Sequence, residues 1–283
     1  MNTWLAALIG LFGNFLLSLG MVLQKRHVAW LGYKGEKGKA YHRDVAGWTA
    51  GFILMNLAPI GNYFALMGLP ANVVSALLGS NVAFTAILVS LLLGERLGKV
   101  RLAWTLFLFA ALGLAGLRGG STGTSLNRLA LYAAVALPAI LIGGAWLARR
   151  RKPGKGLAVI IAMIAGSLGG SMVLSMRALQ LDAGNAFLRW LGTPWFYLYF
   201  LAGILGFASI QLAYKDGDMA SVSPAYYGMQ VLWPALASYA VLGTAFDALQ
   251  VAAFVAIALA VVAITRAGEA SRGSVAAQSG GAA

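Results

Sequence analysis

The chain of 283 residues has no cysteine, two histidines and only 10% charged residues. Without cysteine there is neither a disulfide framework nor a thiolate metal site. The shortage of charge excludes an ordinary soluble domain, in which about 25% of residues are charged. Acids are rarest of all, eight Asp and Glu against 21 Lys and Arg. Glu95, Asp182, Asp216, Asp218 and Asp247 fall at expected helix ends, and no expected span has an acid at its middle. A carrier that binds a proton or a bare divalent cation inside the membrane usually keeps a carboxylate there. Here a cation would have to be held by neutral oxygens or at the mouth. No span contains a His/Asp/Glu cluster or an activated nucleophile, so an enzyme is not expected, nor is a cofactor, and the residues leave a metal site unknown.

Hydrophobic residues make up 60% of the chain, and its mean hydropathy is +0.79. The apolar runs are continuous and about twenty residues long, which fits membrane-spanning helices. An outer-membrane barrel would need strands of about ten residues alternating apolar with polar. The expectation is therefore an all-α polytopic membrane protein with about nine transmembrane helices. The lipid bilayer is its first partner. The net charge of +13 does not call for nucleic acid, because Lys and Arg concentrate in loops as the positive-inside rule requires.

The first span, about Trp4 to Gln24, has no basic segment before it and reads as a helix that is kept, not as a signal peptide. Ala6, Gly10 and Gly13 form a stripe that lets another helix come close. Asn14 either fixes that packing with a hydrogen bond or lines a cavity. The following loop, KRHVAWLGYKGEKGKAYHRD, holds six Lys or Arg against one Glu and one Asp. Its basic excess marks the cytoplasmic side and puts the N-terminus outside. His27 and His42 read as solvated loop residues.

A second span, about Ala46 to Gly68, contains Asn56, Pro59 and Asn62. The third stretch, ANVVSALLGSNVAFTAILVSLLLGERL from Ala71 to Leu97, has no ionised side chain before Glu95 yet carries Asn72, Ser75, Ser80, Asn81 and Thr85. Lipid would not solvate these, so part of this helix faces protein or a wet cavity. Its small face, Ala76, Gly79, Ala83, Ala86 and Ser90, is expected to pack a neighbour, with Asn81 and Thr85 on the other side. A fourth span, about Val100 to Leu117, leads to the linker GGSTGTS. Spans five to nine are expected at about Leu129–Ala148, Leu157–Met176, Trp195–Tyr214, Ala220–Gly243 and Ala248–Thr265. Ala162, Gly166 and Gly170 should form a close-packing face on the sixth. The C-terminus falls on the cytoplasmic side. The domain expectation is a first half at 1–118, a linker at 119–127, a second half at 128–266 and a disordered tail at 267–283.

The halves resemble each other. Asn62 and Gln211 each close a span, and 211 − 62 = 149. At that offset, eight of 27 pairs from Ala71 to Leu97 are identical, including Gly79/Gly228, Ala86/Ala235 and Gly94/Gly243, where about three are expected by chance. Near the starts of the halves, GMVLQKR at Gly20 to Arg26 resembles SMVLSMR at Ser171 to Arg177. By charge bias the third span runs inward and the eighth runs outward. Two inverted-topology repeats are expected, an architecture that puts a transport site near the bilayer midplane. Asn81 and Gln230 occupy matched positions and form the central pair. With Asn14, Asn62, Ser75, Gln211, Tyr226 and Tyr227 they could hold water, a hydrated ion or a small polar solute. They could equally hydrogen-bond only to each other's helices.

Several segments, taken together, resemble the NIPA-like magnesium transporter family within the drug/metabolite transporter superfamily. They are Gln24-Lys25-Arg26, Asn62-Tyr63-Phe64, PANVVSALLGS from Pro70, LLLGERL at Leu91 to Leu97, SIQLAY at Ser209 to Tyr214 and SVSPAYYG at Ser221 to Gly228. The resemblance implies an alternating-access carrier of Mg2+ or a related cation in a plasma membrane, a bacterial inner membrane being expected, with Glu95 as a cytoplasmic mouth residue. Two positions depart from the family pattern. Ala76 stands where a proline is usual after Val74 and Ser75, and Pro59 stands where an acid usually precedes Asn62 by three residues. A transporter of a small organic solute is the alternative reading, and a homodimer is compatible with either.

Overall fold

The computed structural model describes residues 2–33, 38–66, 77, 80–94, 98–117, 126–184, 187–243 and 247–280. No strand occurs among them. The helices are α1 (Thr3–Arg26), α2 (Lys39–Leu66), α3 (Ser80–Leu88, continued by a π-helical turn at Val89–Leu93), α4 (Lys99–Leu117), α5 (Arg128–Arg151), α6 (Lys155–Ala183), α7 (Pro194–Asp216), α8 (Met219–Leu242) and α9 (Ala248–Gly280). They follow the order of the spans read from the sequence. A 3-10 segment, Val28–Gly32, follows α1, and a single turn, Phe187–Trp190, precedes α7. By length and composition α1, α5, α6 and α7 are long and apolar enough to cross a membrane, and Ser80–Leu93, Leu102–Leu114 and Ala248–Ile264 are shorter apolar helices. The chain is an integral membrane protein.

Local chemistry sets the helix ends. The Asn2 side chain accepts from Trp4 N–H at 3.0 Å, and Asn127 Oδ1 accepts from Ala130 N–H at 3.1 Å, supplying acceptors to the exposed donors of α1 and α5. Lys25 and Arg26 end α1, and Arg149, Arg150 and Arg151 end α5, where cations complement the helix dipole. Gly94 ends the π-helical turn and Gly243 ends α8, each with φ of 65°, a left-handed conformation that only glycine adopts without strain. Large apolar side chains stand exposed along single faces, as with Leu5, Leu8 and Phe12 on α1 and Val251, Val255, Leu259 and Val262 on α9. In water such stripes would drive aggregation; in a bilayer they face lipid tails.

The chain divides into two compact units. The first comprises Met1–Gly119, Met219–Pro224 and Ala253–Ala283; the second comprises Gly120–Asp218 and Ala225–Ala252.

In the first unit α1 runs antiparallel to α2 at close range. A Cβ added to Gly13 would meet the Ala58 carbonyl oxygen at 3.1 Å, and one added to Gly20 would meet the Gly51 oxygen at 2.5 Å and the Met55 nitrogen at 2.7 Å. Gly10 lies against Ala65 and Leu77. The stripe read from Ala6, Gly10 and Gly13 is thus a helix interface, and it extends to Gly20. α3 lies alongside α1 in the same direction, with Phe15 edge-on to Phe84 at 5.7 Å. On α3 the buried face is Asn81, Val82, Thr85, Leu88 and Val89, whereas Ala83 and Ala86 are half-buried and Ser90 is exposed. Over its described part the small face is thus the less buried one, with Ala86 bordering residues of α4 and α8. Ala76 and Gly79 lie outside the described residues.

His27 corrects an expectation. Its Nδ1 is 3.0 Å from Asp44 Oδ1, and both side chains are mostly buried. α2 starts at Lys39, seven residues before the expected Ala46, so Asp44 is held on its first turns facing the end of α1. His42 is exposed, as expected.

In the second unit α6 runs antiparallel to α7, with Gly206 against Ala165 and Leu168 and Gly203 against Met172. It runs parallel to α8, with Gly166 against Tyr226 and Met229 and Gly170 against Pro234. A Cβ at either of these last two glycines would collide with the facing residue. Ser171 Oγ donates to a carbonyl, that of Ala134 on α5 at 2.9 Å or its own Ser167 at 3.0 Å, and Trp233 Nε1 donates to Ser171 Oγ and Ala134 O, which binds α5, α6 and α8 together.

Candidate functional site

A polar seam lies between α1 and α3 in the first unit. Asn14 is fully buried, and its Nδ2 donates to the Leu77 carbonyl at 2.7 Å and to Ser80 Oγ at 3.3 Å. Its Oδ1 has no partner among the described residues. One turn along, the Ser18 hydroxyl lies 3.2 Å from the Asn81 carbonyl oxygen and 3.4 Å from Asn81 Oδ1, and donates to one or the other. Asn81 is 2% exposed. The pattern follows from helix geometry, since Asn14 and Ser18 are four residues apart and share a face. A buried acceptor left without a donor costs about 1–3 kcal/mol, so Asn14 Oδ1 is a place where water or a cation gains.

The second unit carries a matching contact. Where Ser18 meets Asn81 in the first, Gly169 meets Gln230 in the second: a Cβ on Gly169 would lie 3.3 Å from Gln230 Nε2. The sequence offsets pair the same positions, since 18 + 151 = 169 on the GMVLQKR/SMVLSMR match and 81 + 149 = 230 on the longer one. Glycine in place of serine removes a side chain, and here a cavity of about 430 Å3 opens, lined by Gly169, Met172, Val173, Met176, Arg177, Tyr199 and Gln230. Tyr226 stacks edge-on to Tyr227 at 5.4 Å, and its hydroxyl also borders Gly169. Tyr227 and Gln211 are buried.

A third feature is a void of about 10 Å3 in the first unit, lined by Val82, Thr85, Ala86 and Val89 of α3, Thr105 of α4, and Met219, Ser223 and Pro224 of α8.

Of the residues read from the sequence as site candidates, Asn14 and Asn81 meet in the α1–α3 seam, and Gln230 and Tyr226 meet beside Gly169. Ser75, Glu95 and the side chain of Asn62 lie outside the described residues. Sequence reasoning passed over Ser18, Thr105, Arg177, Tyr199 and Ser223, and marked Thr85 only as a polar residue facing protein or a wet cavity. Only Ser18 had a positional signal, its place one turn beyond Asn14. Among the described residues no group of three or more His, Asp or Glu side chains could hold a metal ion. The seam therefore offers neutral amide and hydroxyl oxygens. These suit a hard cation that keeps part of its water shell, as Mg2+ tends to do.

Residues 3–113 match the family model of the magnesium transporter NIPA. That stretch holds α1 to α3 and most of α4, and with them the whole Asn14–Ser18–Ser80–Asn81 seam. Neither the curated proteins nor the solved structures compared with the chain gave a match.

Proposed function

We propose that the protein is a membrane transporter that moves Mg2+ or a related cation by alternating access through a central polar cavity, and that about nine spans form two inverted-topology repeats around it. The observation that carries this reading is the unpartnered Oδ1 of fully buried Asn14, inside the stretch that matches the magnesium transporter family. The repeat is supported by two pairs of positions, Ser18–Asn81 with Gly169–Gln230, and the left-handed caps Gly94 with Gly243. In this mechanism Asn14 and Asn81 offer oxygens to a partly hydrated cation from one half. Gln230, Tyr226, Tyr227 and Gln211 offer them from the other. Asn62 and Ser75 complete the lining, and Glu95 attracts the cation at the cytoplasmic mouth. None of these lining residues is a carboxylate, so the cation is bound weakly enough to leave, which a carrier needs. The N-terminus is outside and the C-terminus cytoplasmic, in a bacterial inner membrane. Purified protein in liposomes loaded with a Mg2+-sensitive dye tests the reading: an inward Mg2+ gradient should raise the signal above that of protein-free liposomes, and an equal signal in both refutes it.

The 430 Å3 cavity favours a second reading, transport of a small organic solute. Its size falls within the range of small-molecule pockets, and among the described residues it combines Arg177, Gln230 and Tyr199 with two methionines and no acid. Thermal-shift measurements separate the readings, because stabilisation by organic anions and by no divalent ion would favour the second.

A further inference from the structure

The small void beside α3 has a chemistry that neither reading uses. Two of the side chains lining it, Thr85 and Ser223, are each 2% exposed, and the hydroxyl oxygen of each has no hydrogen-bond partner among the described residues. Thr105, 3% exposed, lines the same void. Three hydroxyl-bearing residues from three helices therefore line about 10 Å3, room for one water-sized particle.

Two helix irregularities border the same space. Val89 opens the π-helical turn Val89–Leu93, where i→i+5 bonding interrupts the α-helical ladder one turn beyond Thr85. Such turns are rare and recur at functional sites. Pro224 lies inside α8 and has no N–H, so it cannot make the helical hydrogen bond to the carbonyl four residues earlier. Hydroxyls and released carbonyls are the donor set from which proteins build sites for dehydrated alkali cations in membranes. Among the described residues no acid lines the void, which disfavours a divalent ion, and its size excludes an ion with a full water shell.

We propose that Thr85, Thr105 and Ser223 form a binding site for one dehydrated alkali cation, separate from the Asn14–Asn81 seam. The site needs no transport to be detected. Protein in detergent is heated at constant ionic strength in choline chloride, LiCl, NaCl or KCl, with MgCl2 in a separate series. At least one alkali chloride should raise Tm by about 3 °C at tenfold its Kd, saturably, relative to choline. Thr85→Val and Ser223→Ala should abolish that rise while leaving Tm in choline within a few degrees of wild type, and Thr85→Ser should keep it. An absence of any difference between alkali and choline salts for the wild-type protein would mean that the hydroxyls bind only water, and would overturn the proposal. A full rise in Thr85→Val would overturn the location. A rise with MgCl2 alone would overturn the ion class while leaving the Mg2+ reading intact. An alkali-dependent rise without Mg2+ uptake would uphold the site and remove that reading.

Discussion

The Ser18 hydroxyl donates to Asn81, whose carbonyl oxygen is 3.2 Å away and whose Oδ1 is 3.4 Å away, and both residues are buried. The bond joins two parallel helices at one level, next to Asn14. Interhelical hydrogen bonds in membranes average about 0.6 kcal/mol, far too little to account for folding alone. Ser18→Ala should therefore lower stability by about 0.6 kcal/mol, measured by unfolding in mixed detergent. If the seam serves transport, the same variant should slow Mg2+ uptake more than that small loss would suggest.

The helix contacts are less forgiving than the hydrogen bonds. At Gly20 an added methyl would meet backbone atoms of α2, which cannot swing aside as a side chain can. Gly20→Ala should destabilise by about 1–3 kcal/mol. Gly143→Ala on α5, where nothing lies within 4 Å of the added carbon, should be neutral or mildly stabilising. Thermal unfolding of the two variants side by side checks this.

Arg149, at the end of α5, grips Asp216, at the end of α7, in a two-pronged pair with Nε–Oδ2 at 2.5 Å and Nη2–Oδ1 at 3.0 Å. Both side chains are largely buried, at 21% and 14% exposure, so removing one partner strands the other away from full solvation. Asp216→Asn should cost about 1.5–3 kcal/mol. Arg149→Lys should restore little, since an ammonium cannot make both bonds.

Gly169 lies against Gln230, and the sequence offset of 151 pairs it with Ser18. Gly169→Leu should occupy the part of the cavity next to Gln230 and crowd that side chain. Stabilisation by an organic ligand, if screening finds one, should then disappear. A ligand response that survives the substitution would place that ligand elsewhere.

Much of the fold was legible because the bilayer demands long apolar runs. α5 lies between an asparagine cap at Asn127 and three arginines, and its apolar run continues through Pro138, a residue that membrane helices tolerate. The glycine stripes were legible too, since Gly10, Gly13, Gly166 and Gly170 recur at helical spacing and each meets a neighbouring helix. The start of α2 was not legible. Lys39 to Asp44 read as loop by charge, yet the contact of His27 with Asp44 and the close approach of His27 to Gly47 hold that segment as helix. Within the seam, Asn14 and Asn81 stood out as amides in apolar surroundings. Ser80 and Thr85 were visible as polar residues, but which hydroxyls lacked a partner was not, because a serine or threonine in a membrane helix can satisfy itself on its own backbone. Ser167 does so on Met163 O and Ser209 on Leu205 O. Thr85 and Ser223 do not, and no sequence pattern separates these two cases.

Initial rates of Mg2+ uptake into proteoliposomes, for the wild type, Asn81→Ala and Gln230→Ala at matched incorporation, address the central claim most directly. The account predicts uptake by the wild type and a loss of tenfold or more in each variant, with Tm lowered by no more than a few degrees. Absence of uptake by the wild type, or wild-type rates in both variants, would contradict it.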